Sequence, residues 1–263
     1  KYYDKALESA ATIILINKEV QCPDGKVLLI SDDPFRDFNK LTTYFKPFLP
    51  AQSSISKSVK IGRDTVVQPN CFIGNDVTIG NNCTIHSNVS IYDNTVIGDN
   101  VIIHANTVLG GSDFYYKNRH EGYDQLISGG NVVIENNVDI GASCTIDRGV
   151  SASTLIKEGT KIDNLVQIGH DTIIGKKCLI ASQVGIAGCV IVEDEVTIWG
   201  QVGITSGVTI GSKAIISAKS GVSKSLDSNK RYFGIPADDF RSKYKEIAAV
   251  RKIPEILEKL KEL

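Results

Sequence analysis

The chain has 263 residues, 42% of them hydrophobic and 22% charged, with a formal net charge of −1. That is enough apolar matter for a sizeable core, which excludes a disordered tail, and the near-neutral balance excludes wholesale steering to nucleic acid or an anionic membrane. No apolar run approaches the roughly 20 residues of a membrane-spanning helix. The chain opens at Lys1 and contains no methionine, so a front segment of the natural protein is expected to be missing.

In chain order, Thr12 to Ile16 and Val27 to Ile30 have strand-type aliphatic runs, and Asp33-Pro34 opens a helix expected to run through Phe45. Residues 1–50 therefore read as a small, truncated α/β domain. From Ile55 an aliphatic residue then recurs every six positions without a miss, through Ile61, Val67, Ile73, Ile79, Ile85, Ile91, Ile97 and Ile103 to Leu109. The rhythm returns at Ile134, Ile140 and Ile146, skips once more, and runs unbroken from Ile156 to Val222. Beyond Val222, a turn at Gly234-Ile235-Pro236 leads into a helix from about Asp238 that Pro254 divides.

A period of six suits neither an amphipathic helix nor one long strand. It suits short strands joined by sharp bends, each turning one aliphatic inward, and so an all-β-dominated parallel β-helix over 51–225 with a helical extension at 226–263. Glycine, Asn and Asp crowd the bends, as in Gly74-Asn75-Asp76 and Gly98-Asp99-Asn100. Three sides per coil put stacked neighbours eighteen residues apart and give about eight coils at the usual strand spacing. The longer break, 110–131, carries Asp113, Phe114, Tyr115, Tyr116, Lys117, Arg119 and His120, a mixture fit for closing over a ligand.

Six cysteines show no C-x-x-C pair. Cys71, Cys83, Cys144 and Cys178 sit two residues before a repeat aliphatic and are read as reduced core fillers. His86 and His104, eighteen apart, should stack on one side; without a full ligand set they read as a surface ladder, and no metal is expected. His170 follows Ile168 by two residues at mid-stack, and Gly188 occupies the same place one coil on. A histidine beside an unhindered backbone N–H offers a base and an oxyanion donor, the needs of acyl transfer. From spacing alone His170 reads equally well as a structural histidine.

The segments Thr145-Ile146-Asp147-Arg148-Gly149, Lys161-Ile162-Asp163-Asn164, Gln167-Ile168-Gly169-His170 and Gly185-Ile186-Ala187-Gly188 resemble the UDP-3-O-(3-hydroxyacyl)glucosamine N-acyltransferase family of lipid A biosynthesis. The resemblance covers nearly the whole chain, with the front resembling that family's uridine-binding domain and Gly234-Ile235-Pro236-Ala237 its C-terminal extension. It implies a left-handed β-helix, a homotrimer, a bacterial cytoplasmic setting and no bound cofactor. The implied donor is a 3-hydroxyacyl thioester on the 4'-phosphopantetheine of acyl carrier protein, and the acceptor is the 2-amine of a UDP-linked, 3-O-acylated glucosamine. His170 takes the place of the general base and Gly188 that of the oxyanion N–H, while Tyr2, Asp113 and Asp163 fall at substrate-binding positions. Arg241 to Leu263 holds seven basic against four acidic residues, a face suited to the acidic carrier. The chain departs from the family at Ser206-Gly207-Val208, where many members carry a second histidine. A coenzyme A-dependent N-acetyltransferase of another amino sugar nucleotide, or a non-catalytic binding solenoid, are the alternative readings.

Overall fold

A computed structural model describes residues 3–261 and divides the chain into two compact units. One comprises residues 51–113 and 130–263, the other the first fifty residues together with 114–129.

The larger unit is the β-helix. Its short strands stack into three parallel sheets, the faces of the solenoid. The first face runs from Lys60–Ile61 to Thr209–Ile210, the second from Val66–Val67 to Ile215–Ile216, and the third from Phe72–Ile73 to Gly221–Val222. The first and third faces have 8 strands each, as about eight coils require, and the second reaches 10 by adding Arg231–Phe233 and Asp238–Asp239. Stacked residues are 18 apart in undisturbed coils, 37 apart across the longer break and 22 apart across the shorter one. Both breaks eject chain without disturbing the register of the aliphatics, so Ile97 pairs with Ile134 and Ile134 with Ile156.

Every repeat aliphatic from Ile73 to Val222 is buried, forming one column of side chains along the axis. Each fully buried Ile contributes about 1.5–3 kcal/mol of transfer free energy, which explains the strictness of the period. The bends have an equally strict cause. Three residues beyond most aliphatics the backbone enters the left-handed region, from Asp64 (φ 57) and Asn70 (φ 64) to Lys213 (φ 60) and Lys219 (φ 61). Asn and Asp tolerate that conformation best and fill most early corners; apart from Asp171, the later coils place residues such as Leu165, Lys177, Gln183 and Cys189 there instead. Cys71, Cys83, Cys144 and Cys178 are buried and free, as their spacing predicts, and the rings of His86 and His104 stack 4.8 Å apart.

Among the described residues the helices are α1 (Tyr3–Glu8), α2 (Pro34–Phe45), α3 (Phe240–Arg251) and α4 (Ile253–Lys261), the last two forming the extension. Asp239 caps α3 by accepting from Arg241 N and Ser242 N, and Pro254 falls in the first turn of α4, so the division comes at Lys252. No residue of either helix is buried.

In the smaller unit, β1 (Ile13–Ile16) and β2 (Val27–Ile30) pair in parallel and α2 begins on the Asp33 cap with Pro34 in its first turn. Helix α1 lacks a sequence signal of its own and is only six residues long. The long insertion is not an irregular loop: Tyr116–Arg119 and Gly122–Gln125 form an antiparallel hairpin. It docks on α2, where Lys117 and Arg119 both pair with Asp33, at 3.0 and 2.6 Å, and Asn39 bonds Gln125 O and Ile127 N. Burial alone would raise the Asp33 carboxyl; hydrogen bonds from Lys117 and Arg119 outweigh it and hold the group at about 2.

Candidate active site

His170 lies at mid-stack in the turn that follows the third-face strand Gln167–Ile168, and its Nδ1 is 2.9 Å from Asp171 Oδ2, with the two side chains 18% and 21% exposed. Asp171 is a left-handed corner residue, φ 54. Its N–H donates to the hydroxyl of buried Thr154 at 2.9 Å, and its Oδ2 also accepts from Val150 N–H at 3.0 Å. A carboxylate is an acceptor only, so Nδ1 carries the ring proton and Nε2 keeps its lone pair.

The Nε2 end of the ring lies over Gly188. A Cβ built on Gly188 would meet Nε2 at 2.4 Å and both neighbouring ring carbons at 2.7 Å, so the face of the imidazole at Nε2 packs against a bare Cα that only glycine provides. Gly169 is constrained in turn, its own absent Cβ pointing 2.5 Å from Gly188 N. Coil-to-coil bonds run from Gly169 N to Ile186 O, from Ala187 N to Ile204 O and from Cys189 N to His170 O, leaving Gly188 N–H outside that ladder. The segment is clamped from the core side, where the hydroxyl of buried Thr172 donates to Ala187 O at 3.0 Å and accepts from Val190 N at 3.2 Å.

Eighteen residues beyond the Asp171 corner lies the Cys189 corner, exposed, with Sγ 4.0 Å from His170 Nδ1. Burial and then the Asp171 charge push this thiol up, so it is neutral near pH 7 and a poor nucleophile. One coil below, Asp147 accepts from Gln167 Nε2 at 2.9 Å. Burial, reinforced by the Asp113 charge, raises its carboxyl to about 6 despite the opposing pull of Gln167 and His170. Arg148 donates to Gly110 O at 2.7 Å and is drawn down by burial against the charges of Asp93, Tyr92 and Asp113.

His170 and Gly188 are thus in direct contact, while Asp113, almost wholly buried at 2% exposure, is linked to them only through the charge that it and His170 each exert on Asp147. Asp163 does not join them within one chain: it follows Lys161–Ile162 on the second face, where its carboxylate accepts from Asn164 N and Nδ2. Tyr2 lies outside the described residues. Sequence reasoning missed Asp171, Asp147, Thr172 and Cys189. The repeat does place Asp171 and Cys189 at successive corners of one column, but nothing in its period shows that their side chains turn toward the His170 ring.

Two segments, 76–111 and 153–188, match the family model described as bacterial transferase hexapeptide (six repeats), and 58–93 matches the hexapeptide repeat of succinyl-transferase. The second of these segments contains both His170 and Gly188. The crystal structure of a Francisella novicida UDP-N-acetylglucosamine acyltransferase superposes with a TM-score of 0.64 at 28% identity, covering 71% of this chain and 67% of that one. The corresponding Campylobacter jejuni enzyme, 23% identical, has the same TM-score over 70% of this chain and 71% of its own, and shows the shared fold. Solenoid, repeats and this likeness together define a hexapeptide-repeat acyltransferase. A UDP-3-O-acylglucosamine N-acyltransferase of Campylobacter lari is 47% identical over 88% of this chain and 79% of its own length, and a Rhizobium meliloti protein of that name is 49% identical over 48% and 36%. The chain belongs to the UDP-3-O-acylglucosamine N-acyltransferase family.

Proposed function

We propose that this chain transfers a 3-hydroxyacyl group from the phosphopantetheine thioester of acyl carrier protein to the 2-amine of UDP-3-O-acyl-glucosamine, with His170 as general base. The observation that carries the reading is the Asp171–His170–Gly188 arrangement: a carboxylate fixing the imidazole tautomer, and the Nε2 end of the ring packed on Gly188, whose N–H stands outside the coil-to-coil ladder. The amine nitrogen attacks the thioester carbon as Nε2 takes its proton, and Gly188 N–H receives the charge on the carbonyl oxygen. The C–S bond then breaks, and the imidazolium, steadied by Asp171, returns the proton to the leaving thiolate. No metal or covalent enzyme intermediate enters the sequence of steps.

The same reading takes the protein to act as a cytoplasmic homotrimer. Its support is Leu165, an apolar side chain 53% exposed on a left-handed corner, with Leu179 and Trp199 exposed at 52% and 50% on the second face; these are costs a lone chain would not explain. In such an assembly Asp163 would serve a neighbouring copy's substrate. No helix among the described residues is long and apolar enough to cross a membrane. The carrier docks on α3 and α4 through Lys245, Arg251, Lys252 and Lys259, all exposed. Lys243, by contrast, is engaged with Glu246 at 2.9 Å and lies against Gly234.

The deciding experiment is mass spectrometry of the product formed from acyl carrier thioester and UDP-amino sugar. An acetylated product from coenzyme A, or no product, would overturn the assignment, as would a folded His170→Ala protein with near-normal turnover.

A further inference from the structure

We propose that His170, Asp171 and Cys189 form a zinc site through which the divalent cation switches the acyltransferase off. One ligand atom from each lies within 4.8 Å of the other two, and His170 Nδ1 is 2.9 Å from Asp171 Oδ2 and 4.0 Å from Cys189 Sγ. Imidazole, carboxylate and thiolate are the three side chains zinc takes, and tetrahedral bonds of normal length separate such atoms by roughly 3.3–3.6 Å. The two Nδ1 pairs need shifts of about half an ångström, and the carboxylate and thiol, within 4.8 Å of each other, must close by up to about 1.3 Å; exposed Cys189 leaves the site open to water as a fourth ligand.

The fold makes the set. Asp171 and Cys189 are consecutive left-handed corners of one column, at φ 54 and φ 60, so stacking brings carboxylate and thiol to the same edge of the ring. Main-chain bonds hold both corners: Asp171 N to Thr154, and Cys189 N to His170 O at 2.8 Å. Among the described residues this is the one such cluster of three.

The consequence for catalysis rests on the function proposed above. Zinc on Nδ1 takes the lone pair there, so the ring proton moves to Nε2 and the thiol proton leaves to solvent. Nε2 then carries a hydrogen where the reaction needs a lone pair, and Asp171 is diverted from the ring to the metal. The cation inhibits without touching substrate.

Cobalt, taken up in place of zinc, reports the site directly. The whole protein should bind one equivalent with a thiolate-to-cobalt charge-transfer band, displaced by zinc; Cys189→Ser should lose the band and bind zinc more weakly by roughly tenfold or more. Cys22→Ser, at the other exposed cysteine, should change neither. In turnover assays zinc should inhibit the parent protein, a chelator should restore it, and Cys189→Ser should be active and resistant. No thiolate band, or equal zinc affinity with and without Cys189, would overturn the site. A normal band with undiminished turnover would overturn the switch and count against His170 as base, whereas a normal band in a protein with no acyl transfer at all would leave the site standing and sink the proposed function.

Discussion

The Cβ that an alanine at position 188 would carry lies 2.4 Å from His170 Nε2. Real carbon atoms do not approach so closely, and the obstructed atoms belong to the ring rather than to a side-chain end that can swing aside. Gly188→Ala must therefore displace the imidazole while leaving the core column, which lies on the other side of the strand, intact. The expected result is a folded protein with kcat lower by about 10²-fold, the usual cost of an ångström of misplacement at a reacting centre. Steady-state kinetics alongside circular dichroism checks it; normal kcat would mean that the ring sits elsewhere during turnover.

Asp171→Asn keeps the size of the corner side chain and removes its charge. The amide can no longer enforce a proton on Nδ1, and the imidazolium formed in the reaction loses its partner. The kcat should fall, by less than the roughly 10²–10⁴-fold expected for His170→Ala. The KM for the sugar nucleotide should move little, because the carboxylate faces the ring and the Val150 amide.

These two residues also mark what could be read in the sequence. The coil was legible because its core admits one aliphatic per strand: the column from Ile73 to Val222 is the period itself. His170 over Gly188 was legible for the same reason, being two points one coil apart. Asp171 was not, although adjacent to His170, because a period in hydrophobicity says nothing about which corner side chains fold back on the ring. The hairpin Tyr116–Arg119/Gly122–Gln125 was equally hidden, since its strands are polar and are held by pairs to Asp33 and Asn39 more than 80 residues away. The catalytic reading of the pair came from family resemblance.

Thr172 tests whether placement of the Gly188 N–H matters apart from the imidazole. Its hydroxyl ties Ala187 O to Val190 N, and Thr172→Val keeps the shape while leaving both main-chain groups without that partner. The loss should be about 1–3 kcal/mol of stability. The kcat should drop together with kcat/KM, as expected for an interaction made in the transition state. A stability loss with unchanged kcat would restrict Thr172 to a structural part.

Leu165 occupies a left-handed corner, φ 61, and is 53% exposed. Asparagine suits that backbone better and water better, so Leu165→Asn would stabilise a lone chain by a few tenths of a kcal/mol or more. If the corner is an intersubunit contact, the same change should instead weaken assembly. Sedimentation velocity across a dilution series separates the two: the expected outcome is dissociation at higher protein concentration than for the parent, and an unchanged assembly would remove Leu165 from the interface.

Asp147 gives the protein a pH signature of its own. Burial raises its carboxyl to about 6 in the fold, against an unfolded value near 3.9. The native state therefore holds the proton more tightly, and the contribution is complete below pH ~4 and lost as pH rises through about 6. Asparagine mimics the protonated form and can still accept from Gln167 Nε2. Asp147→Asn and the parent should therefore melt alike at pH 4, while at pH 7 the variant should be more stable. With solvent access discounted the difference is about 1 kcal/mol, or roughly 2–4 °C in Tm. Taking the difference between the two proteins cancels every other titrating group, so thermal melts at pH 4, 5, 6 and 7 suffice. A gap that is constant across that range, or that opens toward acid, would show that Asp147 is not held protonated by its burial.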